Sequence, residues 1–194
     1  MLKFKILLLS IVSGVTSAYG AITISIEQSG SDLHISTSGT YTVSPNQADV
    51  PLFGLVGQFL PTGFSNKNEI ISLATGGSTG LYTGSITGTV PPLPDVSYNV
   101  TGVTGTTFGY VKDNNFNFGA IYGPVGFTPG TISSGFGVVQ NATLADIGLT
   151  PSSSGSFSVG AQPVSWAVVP EPSTYVLACS SLALGFAFLR RKKR

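Results

Sequence analysis

"AITISIEQSGSDLHISTSGT", residues 21–40, holds the pattern that decides the fold. Ile22, Ile24 and Ile26 fall on one face of an extended chain, with Thr23 and Ser25 on the other. Apolar residues that recur every second position mark a half-buried strand, because successive side chains of a strand point to opposite faces. After the turn residues of "QSGSD" the alternation resumes with Leu33 and Ile35. Two alternating runs joined by a short Gly- and Ser-containing turn predict a β-hairpin.

Working outward, residues 21 to about 163 keep this character. Gly, Ser, Thr, Val, Ile and Phe are frequent, and the usual helix formers are sparse. "GTYTVS", "LYTGSITGTV", "VSYNVTGVTG", "NFNFGAIYG", "GFGVVQNATL" and "GSFSVGAQPVSWAVV" read as further strands. "SPNQAD", "TGGSTG", "KDNN" and "TPGT" read as the turns between them. Many short strands at this spacing predict an all-β body, an antiparallel β-sandwich or barrel-like fold. "TLADIGLTP" is the best candidate for a helical turn. "VPPLPDV", residues 90–96, is either a linker between two halves or a long loop, since its prolines bar a central strand. Trp166 in "VSWAVV" favours a last strand over a solvated tether. No repeat of firm period occurs.

The two ends differ from the body. Met1-Leu-Lys-Phe-Lys5 is basic, residues 6–15 are apolar, and Ala18-Tyr19-Gly20 supplies small residues ahead of Ala21. That order is a secretory signal peptide, residues 1–20, cut by signal peptidase before Ala21, with the bond after Ala18 as the competing site. The other end runs through Val169, Pro170, Glu171, Pro172 and Ser173 into an uncharged apolar stretch, residues 174–189. It finishes with Arg190, Arg191, Lys192, Lys193 and Arg194. The prolines hold the motif extended, and Pro172 suits the first turn of a helix. As a helix the apolar stretch is roughly 24 Å long, slightly under a hydrocarbon core of ~30 Å, a gap that snorkelling of Arg190 closes. It reads as a single C-terminal transmembrane helix, with the basic tail as the topology signal that stays cytoplasmic and leaves the body outside. The domain reading is therefore 1–20 signal peptide, 21–165 secreted β-rich domain and 168–194 C-terminal signal.

Charge excludes one class of function. Residues 21–169 hold two basic side chains, Lys67 and Lys112, against seven acidic ones, a net charge of −5. A body without a basic patch has nothing to neutralise phosphates, so no nucleic acid is expected as a partner. The mean hydropathy of +0.35 is raised by the apolar ends.

The chemistry-bearing residues form no catalytic set. His34 is the only histidine and alternates with Leu33 and Ile35, which places it on the polar face of its strand. No G-x-S-x-G elbow accompanies the many serines. Cys179, the only cysteine, lies in the apolar C-terminal stretch and can form no intrachain disulfide. Asp113-Asn-Asn115-Phe-Asn117 opens like a calcium loop, but Pro124 stands where a bidentate Glu belongs, so an Asn-rich turn is expected. Leu60-Pro61-Thr62-Gly63 lacks the residue between Pro and Thr of a sortase signal and reads as a turn between two strands. Asn99 and Asn141 stand in glycosylation sequons that also arise by chance in Thr-rich strands. No cofactor, no metal and no enzymatic activity are expected. Three functions remain: a non-enzymatic surface or matrix protein; a carbohydrate-binding module stacking sugars on Tyr98, Tyr110, Tyr122 or Trp166; and, least supported, a hydrolase.

The C-terminal order of motif, apolar span and basic tail resembles the PEP-CTERM sorting domain, on Val169-Pro170-Glu171-Pro172-Ser173, the span to Leu189 and the tail 190–194. The resemblance implies export in a Gram-negative bacterium. It also implies recognition by exosortase, a membrane-embedded cysteine protease and transpeptidase, and delivery to the cell surface, commonly alongside exopolysaccharide. Pro170, Glu171 and Pro172 would then be substrate residues. The opening strand pair and "ATLADIGLTP" also resemble segments of small secreted PEP-CTERM proteins, although here "SSSG" follows in place of Gly-Thr-Tyr.

Overall fold

A computed structural model of the chain describes residues 21–51, 58–60, 68–73, 78–92, 98–113 and 118–170. The expected signal peptide 1–20, Glu171, Pro172 and Ser173 of the expected sorting motif, the expected span 174–189, the tail 190–194, Cys179 and residues 114–117 lie outside them. The described residues hold twelve strands: β1 (Ile22–Ser29), β2 (Asp32–Gly39), β3 (Gln47–Pro51), β4 (Gln58–Leu60), β5 (Asn68–Leu73), β6 (Ser78–Gly88), β7 (Tyr98–Thr104), β8 (Phe108–Asp113), β9 (Phe118–Gly123), β10 (Phe136–Val139), β11 (Ser154–Val159) and β12 (Gln162–Val169). One turn of 3₁₀ helix, Ala145–Ile147, sits in "TLADIGLTP" as the sequence predicts.

All twelve strands belong to one curled, barrel-like sheet, in the order β11-β12-β1-β2-β10-β7-β4-β5-β8-β9-β6-β3. Its arms meet where β11 also pairs with β6, Phe157 opposite Gly88 and Val159 opposite Ile86. The strands on either side of "VPPLPDV" share this sheet. The expected β1–β2 hairpin is present. Ser29 faces Asp32, and Gly30 takes φ 61 at the first loop position, a conformation that favours glycine. Ile22, Ile24, Ile26, Leu33 and Ile35 are all fully buried, so the alternation that predicts these strands also builds the core.

The sheet is not purely antiparallel. β1 and β12 run parallel, from Ile22 opposite Val164 to Glu27 opposite Val169, while the other pairings are antiparallel. Parallel neighbours need a long crossover, and here that crossover is nearly the whole body between the first strand and the last. Thr23 and Ser165 join hydroxyls across this seam at 3.0 Å, although 142 positions separate them in sequence.

Three local expectations are corrected. "GTYTVS" forms no strand. After Thr40 makes a single bridge to Ile132, the Tyr41 N–H donates to Thr131 O and the Thr42 N–H to Gln162 Oε1, so loops and a side chain satisfy the backbone in place of a ladder. Tyr41 turns into the core, its ring 4.3 Å from Phe127 and its hydroxyl donating to Tyr122 O at 3.0 Å. Burial pushes the phenols of Tyr41 and Tyr122 far above their ordinary range. Second, the end of "SPNQAD" is not all turn, for β3 begins at Gln47 and pairs with β6. The Asn46 amide imitates a rung of that ladder, donating to Thr83 O at 3.1 Å and accepting from Thr83 N–H at 3.1 Å. Third, "GSFSVGAQPVSWAVV" is a hairpin of β11 and β12, turning at Gly160 and Ala161.

Candidate functional site

The expected sorting motif follows β12, the last strand of the sheet. β12 lies between β1 and β11, paired on both sides. Val164, Trp166 and Val168 point inward and are buried. Trp166 is 4% exposed and donates its indole N–H to Thr89 O at 2.7 Å. The strand continues past residue 165. The Val168 N–H donates to Ser153 O at 2.9 Å, and Val169, opposite Glu27, is 38% exposed. Pro170 follows outside the strand, because it has no N–H to continue a ladder. Val168 and Val169 are thus strand residues, as the reading of "VSWAVV" as a last strand expects.

Side chains tie the loops between β10 and β11 to one another and to the β1–β2 hairpin. Gln28 accepts the Leu144 N–H at 2.7 Å and donates to Gly30 O at 2.6 Å. Asp32 accepts the Asn141 N–H at 2.9 Å. Asp146 accepts both the hydroxyl and the N–H of Thr143 at 2.7 Å, and these bonds hold its carboxyl below the usual carboxylate range. Thr150 and Ser153 close a further turn, the Thr150 N–H donating to Ser153 Oγ at 2.9 Å. Ala142, Leu144, Ile147 and Leu149 carry this end into the core. Among the described residues no helix is long and apolar enough to cross a membrane.

The family model of the PEP-CTERM protein-sorting motif matches residues 168–193. The chain ends in a PEP-CTERM motif. It begins at Val168, so the motif's first two residues are the last two of a core strand. The PEP-CTERM motif implies an exported protein that exosortase sorts to the surface of a Gram-negative cell. No curated protein and no solved structure matches the chain.

The other candidate residues do not assemble into a site. His34 stands on the half-exposed face of β2, its ring edge-on to Phe136 at 5.6 Å. Asp113 ends β8 opposite Phe118, the first residue of β9. Phe59 and Leu60 pair with Ile71 and Ile70, so paired strands flank the Leu-Pro-Thr-Gly stretch, whose remaining residues lie outside the described ones. Asn99 is in β7, and Asn141 is exposed with φ 54. The sugar-stacking reading meets a direct obstacle: Tyr110, Tyr122 and Trp166 are buried, and Tyr98 is partly buried against the core. A depression of about 410 Å³ lies over the β6–β11–β12 seam, lined by Thr87, Ser156, Ser158 and Ser165 beside Phe157 and Pro163. Two of its hydroxyls, Thr87 and Ser158, bond each other at 2.8 Å. Among the described residues no three His, Cys, Asp or Glu side chains come together as a metal site.

Proposed function

We propose that the chain is a non-enzymatic surface or extracellular-matrix protein, delivered by a signal peptide at 1–20 and held transiently by a span at 174–189. The basic tail 190–194 keeps the cytoplasmic side, and exosortase processes the chain near Pro170, Glu171 and Pro172. Association with exopolysaccharide at the surface is part of this proposal. One observation carries it: a matched sorting motif continues directly from the last core strand of a β body. Only Pro170 to Ser173 separate that strand from the span, at most roughly 14 Å of extended chain, so the precursor's body sits close against the outer face of the membrane.

Glu171→Ala tests the proposal. In a host with exosortase, the variant precursor should accumulate in the inner membrane with residues 190–194 intact, while wild type leaves it. An ordinary single-pass anchor would be indifferent to Glu171, so identical mature mass and location for the two proteins would refute sorting through the motif.

A further inference from the structure

We propose that removal of the signal peptide completes a ligand site: the α-amino group freed at Ala21 joins the depression over the β6–β11–β12 seam, and together they bind an acidic sugar unit through its carboxylate and hydroxyls. This rests on the delivery reading above and gives its exopolysaccharide association a definite chemistry.

Ala21 immediately precedes β1 and is part of the lining of the depression. Ile22 faces Val164 in the parallel seam, and both are buried. Ala21 and Pro163, one residue earlier on each side, therefore fall on the outer face. While the signal peptide is attached, the Ala21 nitrogen is an uncharged amide. Hydrolysis of the bond between Gly20 and Ala21 leaves the hydroxyl of water on the Gly20 carbonyl carbon and a proton on the Ala21 nitrogen. The amine takes a second proton from solvent, since α-amines ordinarily stay charged up to about pH 8. A cation then stands at a depression whose lining holds no charged side chain. Lys67 and Lys112, the other cations of residues 21–169, do not line it.

The rest of the depression suits a sugar without an aromatic platform. Thr87 of β6, Ser156 and Ser158 of β11 and Ser165 of β12 bring hydroxyls to it. Each can donate and accept, as sugar hydroxyls do. Pro163 is exposed and offers an apolar ring, and Phe157 and Val164 are buried beneath. The volume, about 410 Å³, is that of a small-ligand site. Its floor is built in advance, with Phe157 paired to Val164 on one side and to Gly88 on the other. A preformed floor spares the ligand the cost of ordering it. The amine adds a charge-assisted bond to a carboxylate, roughly twice as strong as a neutral one. A neutral sugar cannot make that bond, and a simple carboxylate cannot use the hydroxyls.

Three chains in detergent test the site: 1–194 with its signal peptide uncut, 18–194 and 21–194. Glucuronate, glucose and acetate are titrated into each, and binding is read by ligand-observed NMR. The chain 21–194 should bind glucuronate about tenfold or more tightly than either longer chain does, and by a similar factor over glucose and acetate. Ser156→Tyr in 21–194 puts a ring into the depression from an exposed strand position and should abolish binding with the β circular dichroism unchanged. Equal affinity of 18–194 and 21–194 would overturn the proposal, because the first differs only in where its amine stands. Glucose or acetate bound as tightly as glucuronate, undiminished binding by Ser156→Tyr, or no glucuronate binding by 21–194 would each overturn it too. The delivery reading is checked separately, by the N-terminus of the exported chain. A start other than Ala21 counts against the signal-peptide cut, and the titrations still decide whether the depression and an amine at Ala21 take the ligand.

Discussion

Trp166→Ala should cost the body about 3–5 kcal/mol, the range for removing a large buried aromatic. It is the chain's only tryptophan, 4% exposed, on a strand paired on both sides. Its indole fills the space over Gly155, where an added Cβ would lie 2.7 Å from the ring nitrogen. The same nitrogen donates to Thr89 O, which ties the chain beyond β6 to β12. Trp166→Phe should recover most of the packing and lose only this hydrogen bond, about 1 kcal/mol. Urea unfolding followed by far-ultraviolet circular dichroism on residues 21–169 measures both. A loss under about 1 kcal/mol for Trp166→Ala would mean that β12 is not a core strand.

Gly39→Ala should be nearly as damaging, although it adds one methyl group. Gly39 ends β2 with φ 111, a conformation that residues with a Cβ rarely adopt. Its Cβ would fall onto the carbonyl oxygen of Ala21 and lie 3.1 Å from the Cα of Ile22. Neither atom belongs to a flexible side chain, so the start of β1 would have to move. Backbone strain and steric displacement together should cost on the order of 3 kcal/mol. Gly30→Ala is the control: Gly30 is also left-handed, but no atom lies within 4 Å of its added Cβ. It should cost only about 1 kcal/mol, in the same unfolding measurement.

How much of this is legible in the sequence depends on distance along the chain. The β1–β2 hairpin is readable because alternation, turn and partner all lie within residues 21–40. The sorting motif is readable for the same reason, since its three parts are contiguous and their order carries the meaning. The parallel β1–β12 pairing is not readable. Ile22 and Val164 both look like half-buried strand residues, and nothing in either run names the other as neighbour. The β11–β12 turn does leave a trace in the sequence. Buried positions fall on odd residues at Phe157 and Val159, then on even ones at Val164, Trp166 and Val168. Such a phase slip marks a break in the strand, a reversal or a bulge, and here it is the reversal of a hairpin. β4, β5, β8 and much of β3 escape a reading by alternation because short runs such as "QFL" and "NEIISL" carry too few alternations to stand out. Val168 and Val169 read equally well as the end of a strand or the start of a linker until Glu27 and Ser153 are seen beside them.

Export of this β body followed by its separation from the C-terminal signal is read from the intact mass of the protein recovered from the cell exterior of an exosortase-bearing host. The expected chain begins at Ala21, retains Trp166 and Val169, and lacks Arg190, Arg191, Lys192, Lys193 and Arg194. Recovery outside the cell of a chain that still carries residues 1–15 and the basic tail would contradict it.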